Sequence, residues 1–114
     1  MKPQAAIRTL SATTLALGVA LAGAQGVDPA RQAELVRVVR QDCGSCHGMR
    51  LTGGLGPALT REAMADKPVD STVATIFHGR PGTPMPGWRL MLSEVEARWI
   101  AERLIAGFPE EPRR

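Results

Sequence analysis

Five consecutive residues, Cys43-Gly44-Ser45-Cys46-His47, constrain this chain more than any other feature. Two thiols separated by two residues and followed at once by an imidazole have the spacing at which a c-type haem is covalently attached. Each thiol adds across one vinyl group of a single porphyrin, and the adjacent histidine reaches the iron from the same side. A bare pair of cysteines at this spacing would serve a disulfide, half a zinc site or a redox dithiol equally well. Cys43 and Cys46 are the only cysteines, so a four-cysteine zinc site is excluded. A thioredoxin-like dithiol would need strands alternating with helices around the cysteines, and no convincing strand run is present. A plain disulfide or dithiol is the alternative that stays open.

The N-terminus agrees with attachment outside the cytoplasm. Lys2 and Arg8 charge the first residues, the stretch from Leu10 to Leu21 has no ionisable side chain, and Ala22-Gly23-Ala24 offers a small-x-small cleavage site. These features predict a signal peptide over residues 1–24, export to the periplasm, and a mature chain of residues 25–114 with no membrane insertion after cleavage. The apolar stretch is short for a membrane span and is diluted by Ser11, Thr13, Thr14 and Gly18; retention as an uncleaved anchor is the competing reading.

A mature chain of this length makes one domain, and its apolar core is small. A buried planar cofactor would supply much of the missing interior, so the polypeptide is expected to fold poorly without it. Removing Lys2 and Arg8 from the 14 basic residues leaves 12 against 11 acidic ones, a net charge of +1, which two haem propionates turn slightly negative. No basic run or interleaved aromatic pattern points to nucleic acid.

The mature sequence reads as all-α: helices joined by loops rich in glycine and proline. Asp28 caps a first helix with Pro29 in its first turn, and Ala33, Leu35, Val36, Val38 and Val39 carry it into the cysteine segment. Residues 51–59, with Gly53, Gly54, Gly56 and Pro57, form a loop. A short helix is expected from Thr60 to about Asp66. Another, capped by Asp70 or Ser71, runs to His78 and stops at Gly79. A last helix opens at Ser93 with Glu96 as a capping box, ends near Gly107 and is expected to pack on the first through Ala97, Ile100, Ala101, Leu104 and Ile105.

Between the last two helices lies Arg80-Pro81-Gly82-Thr83-Pro84-Met85-Pro86-Gly87-Trp88, which holds a thioether between two prolines. A haem iron bound by His47 has a second axial position, and methionine there favours the ferrous state. Met1 leaves with the signal, Met49 is too close to His47 to cross to the opposite face, and Met64 and Met91 lie in or beside helices, so Met85 is the expected ligand. The competing readings are that Met85 fills a core gap and that His78, the only other histidine, binds the iron; a surface role at its helix C-terminus suits His78 better. Trp88 either covers the haem edge or closes the core. Arg50, Arg80 and Arg89 are surface charges that a propionate or an acidic partner could engage.

With CxxCH, Gly56-Pro57-Ala58-Leu59 and the Met85-Pro86 loop in this order ahead of a capped terminal helix, residues 29–106 resemble the class I cytochromes c. Cys43 to Gly56, reading CGSCHGMRLTGGLG, and Gly79 to Trp88, reading GRPGTPMPGW, are similar to the small NirC-type periplasmic cytochromes of denitrifying bacteria. The resemblance implies three to five helices wrapped around one covalently bound haem c, a monomer, and one-electron transfer without catalysis. It also implies that the carbonyl of Pro57 accepts a hydrogen bond from the proximal imidazole; an ordinary turn proline is the alternative. The first helix lacks the glycine and the aromatic residue with which that family meets its last helix, and Val36 and Val39 are candidates to substitute. The implied partners are redox proteins: the nitrite reductase carrying haem c and haem d1, or the enzymes that assemble haem d1. A gas-binding cytochrome would require Met85 to leave the iron.

Overall fold

The computed structural model describes residues 26–110; the expected signal peptide lies outside the described residues. Helix α1 (Pro29–Val38) passes through one π-helical turn (Val39–Cys43) into α2 (Gly44–His47), followed by α3 (Arg61–Met64), α4 (Val69–His78) and α5 (Glu94–Ala106). No strand occurs among the described residues.

Local chemistry sets most of these boundaries. The Asp28 side chain accepts the Arg31 amide at 3.0 Å, with Pro29 filling the first-turn position where a missing N–H costs nothing. Thr60 caps α3 through the Ala63 amide. At α5 the capping box is complete: Ser93 Oγ accepts the Glu96 amide and Glu96 Oε2 accepts the Ser93 amide, at 3.2 and 2.8 Å. Leu92 before that cap and Ala97 inside it are both buried, as a hydrophobic staple requires. α4 corrects the sequence reading. It starts at Val69 behind Pro68, not at a cap made by Asp70 or Ser71. Pro68 presents its carbonyl to the Thr72 amide and hydroxyl, and Asp70 turns outward to Arg98 at 2.6 Å.

Leu35, Val39, Leu51, Met64, Ile76, Leu92, Ala97, Ile100, Ala101 and Leu104 form one core cluster. α5 does not take α1 as its main neighbour: it packs chiefly along α4, then α3. α1 joins it through the shared core and through an ion pair, Arg31 Nε to Glu96 Oε1 at 2.6 Å. Of the two valines that could substitute at the helix crossing, Val39 lies in the core cluster, while Val36 is buried outside it.

One tie is not legible in the sequence. Arg40, in the π-helical turn, is only 7 % exposed; its guanidinium donates to the carbonyls of Phe108 and Pro109 at 2.9–3.2 Å and lies 5.6 Å from the Phe108 ring centre. A buried cation must find acceptors, and here they come from the segment just past α5. The turn that delivers Cys43 is thereby fastened to the C-terminal end of the domain.

The Arg31–Glu96 pair makes stability depend on acid. Hydrogen bonding to Arg31 holds the Glu96 carboxyl below its usual range. Its contribution is therefore present above about pH 4.3, the value in the unfolded chain, and is lost as pH falls through the lower folded value. Glu96→Gln keeps the capping geometry but removes the charge, so it should cost about 1 kcal/mol at pH 7 and lower Tm by about 4–8 °C. Thermal melts of the haem-loaded protein should show this gap at pH 7 and a smaller one at pH 3.

Candidate haem-attachment site

The chain turns sharply after α2 and folds back beneath His47. The Gly53 amide donates to the His47 carbonyl at 2.8 Å and the Gly56 amide to the Cys46 carbonyl at 2.9 Å. Carbonyls at a helix end have no partner within the helix, so a loop that satisfies them is fixed against it. Leu51, buried at the loop's base, has φ 61°, a conformation that costs a branched residue energy and that core burial compensates.

The loop brings the Pro57 carbonyl 2.7 Å from His47 Nδ1. A carbonyl can only accept, so Nδ1 carries the proton and donates, and Nε2 is left with its lone pair. This is the tautomer and orientation a metal-ligating histidine needs. Gly56 shares in the arrangement. A Cβ there would lie 2.7 Å from His47 Cε1 and 2.8 Å from Nδ1. Only a residue without a side chain lets the loop carry Pro57 so close under the ring. The sequence marks Gly56 as a loop former and nothing more; it does not show that the backbone before Pro57 has to pass against an aromatic face.

Neither cysteine forms a disulfide; Cys43 is half-buried against the core and Cys46 is exposed. Burial, with Asp42 adding to it, pushes the Cys43 thiol up to about 11, so it stays protonated at neutral pH. Two free thiols and an imidazole with an available lone pair within five residues match what haem c attachment demands.

Met85 is half-buried and anchored to its own loop: its amide donates to Thr83 Oγ1 at 3.4 Å and its carbonyl accepts from the Arg80 amide at 3.3 Å. Met64 is in the core, whereas Met49 and Met91 are exposed. His78 is exposed at the end of α4, its ring edge-on to Phe77 with centroids 5.1 Å apart. Trp88 packs partly buried on the core.

Residues 30–102 match the family described as cytochrome c oxidase, cbb3-type, subunit III. The chain belongs to the c-type cytochromes, an all-helical class that carries covalently bound haem c. More particularly, it is similar to cytochrome c55X of Stutzerimonas stutzeri, with 54 % identity over 99 residues, 87 % of this chain and 86 % of that protein. Among solved structures, the c-type cytochrome NirC is 59 % identical with a TM-score of 0.69, covering 70 % of this chain and 94 % of that one. Dihydro-heme d1 dehydrogenase NirN is 33 % identical with a TM-score of 0.59 over 72 % of this chain, but the match spans only 17 % of NirN.

Gly56→Ala tests the packing beneath the imidazole. The added methyl must push the ring or the loop aside and lengthen the His47–Pro57 bond, at a cost of about 1–3 kcal/mol. Denaturant unfolding of the haem-loaded variant should show that loss, and its reduction potential should rise, because a weaker hydrogen bond makes the imidazole a poorer donor to ferric iron.

Proposed function

We propose that this protein is a periplasmic electron carrier whose haem is tethered through thioethers to Cys43 and Cys46 and held between His47 and Met85. The observation that carries this reading is the His47–Pro57 hydrogen bond, which leaves Nε2 free to bind a metal beside two unpaired thiols. Haem c, when bound, supplies a one-electron iron couple. The chain does the rest: Pro57 fixes the imidazole, the Met85 loop supplies a thioether that favours the ferrous form, and the helical core excludes water. His47 and Met85 would both hold the haem, which would leave no coordination site for a substrate, and the protein would then transfer electrons without catalysing a reaction of its own. Residues 1–24 act as the export signal and residues 25–114 as the mature monomer.

The electrons serve nitrite reduction in denitrification, and the partner is a nitrite reductase. The similarity to NirC and cytochrome c55X supports this placement. A second reading is favoured by the NirN similarity: the protein exchanges electrons with enzymes that complete haem d1, assisting reductase maturation. A deletion strain separates the two. Complete reductase that turns over slowly for lack of a donor supports the first, and reductase lacking haem d1 supports the second. Normal amounts of fully active reductase would contradict both.

A further inference from the structure

The loop that carries Met85 is closed by a backbone-to-backbone contact that no side chain could enter. The Trp88 amide donates to the Ile76 carbonyl at 3.0 Å and the Arg89 amide to the Phe77 carbonyl at 3.2 Å. These are carbonyls of the last turn of α4, otherwise without helical partners. The loop therefore leaves α4 at Gly79 and returns along the same helix end at Gly87–Arg89. Where it closes, a Cβ on Gly87 would lie 2.7 Å from the His78 carbonyl carbon, 2.8 Å from Phe77 O and 2.9 Å from His78 O. A Cβ on Gly79 would meet Gly87 N at 2.6 Å, the Pro86 carbonyl carbon at 2.7 Å and Met85 O at 2.8 Å. The two glycines face each other across the neck of the loop, and one of the atoms in the contact belongs to Met85 itself.

We infer that the Gly79–Gly87 contact is a latch that holds Met85 in position, and that its tightness determines whether the protein behaves as a closed electron carrier or as a haem protein open to external ligands. The inference rests on the reading of Met85 as axial ligand. Gly79 and Gly87 are positioning residues: they touch the backbone of the ligand loop and act on the iron only through Met85. Pro84 and Pro86 make the segment stiff, so strain at the neck is passed along the chain to Met85 instead of being absorbed locally. The equilibrium between latched and unlatched loops then sets the apparent affinity for any competing ligand, which is reduced by the small fraction of molecules that are open.

The glycines of this region allow the contact to be separated from backbone conformation. Gly87 is not at positive φ, so Gly87→Ala adds a methyl to the latch without conformational penalty. Gly82 has φ 78°, and a Cβ added there would meet nothing within 4 Å, so Gly82→Ala strains the backbone but leaves the latch alone. In the haem-loaded proteins, Gly87→Ala should weaken or abolish the red-edge absorption band of the methionine–ferric bond, lower the reduction potential and tighten imidazole binding by about ten- to hundredfold. Gly82→Ala should leave imidazole affinity within about threefold of the parent. Gly87→Ala with an unchanged band and unchanged imidazole affinity would overturn the latch.

Met85→Ala separates the iron ligand from the latch. If Met85→Ala leaves the band and potential unchanged, the ligand assignment has failed; if it removes the band while Gly87→Ala does not, only the latch has failed. Hydrogen exchange on the unaltered haem-loaded protein gives an independent test. With imidazole on the iron, the Trp88 and Arg89 amides should lose protection, since their bonds to α4 are what the latch closes. Full protection of both amides in the imidazole complex would contradict the proposal even if no Gly87 variant folds.

Discussion

Met85→Ala is expected to lower the reduction potential by about 0.1 V or more, to remove the weak red-edge absorption of a sulfur–ferric bond, and to let the reduced protein bind carbon monoxide. The direction follows from the ligand. A thioether is a soft, weak donor that favours Fe(II), so replacing it by water or hydroxide shifts stability towards Fe(III). The result also discriminates between donors. His78, edge-on against Phe77 at the end of α4, would give a bis-histidine iron with a lower starting potential and no sulfur band, and Met85→Ala would then change little. Potentiometry and absorption spectra of the parent and Met85→Ala proteins, with His78→Ala alongside, decide the matter.

Replacing both Cys43 and Cys46 by serine should abolish covalent attachment and leave a polypeptide that is rapidly degraded. The physical reason is size: a domain this small buries little apolar surface of its own, and outside α5 each helical segment gives its core cluster at most one residue. The single variants should differ. Cys43 packs against the core, so Cys43→Ser places a hydroxyl in apolar surroundings as well as removing a tether, whereas Cys46 is exposed and Cys46→Ser removes only the tether. Holoprotein yield should therefore fall further for Cys43→Ser. Folded, protease-resistant double variant without haem would refute the dependence of the fold on its cofactor.

Much of this architecture is legible in the sequence because short-range chemistry sets it. Ser93 and Glu96 form their box, Asp28 and Pro29 open α1, and Gly79 ends α4, as each residue's own bonding capacity dictates. The start of α4 is misleading because Asp70 and Ser71 are good caps in isolation, yet Pro68 offers an extended backbone and a free carbonyl two residues before Asp70, and Arg98 draws Asp70 away. The main partner of α5 is hidden for a different reason: an apolar arc shows that a helix packs, not against what.

At the site, the cysteines and His47 announce themselves by spacing. The roles of Gly56 and of Gly79 with Gly87 are invisible there, because a glycine required for close approach looks like a glycine required for a turn until the opposing atoms are known. Nothing in the sequence singles out Arg40; only the folded chain shows that carbonyls 68 and 69 residues away receive it.

The most direct test of the central claim, one haem held covalently by this single pair of thiols, is the intact mass of the mature polypeptide purified from cells competent in cytochrome maturation and denatured with alkylating agent. The expected mass is that of residues 25–114 plus one haem, with neither Cys43 nor Cys46 alkylated. A colourless polypeptide of unmodified mass that takes up two alkyl groups would contradict it.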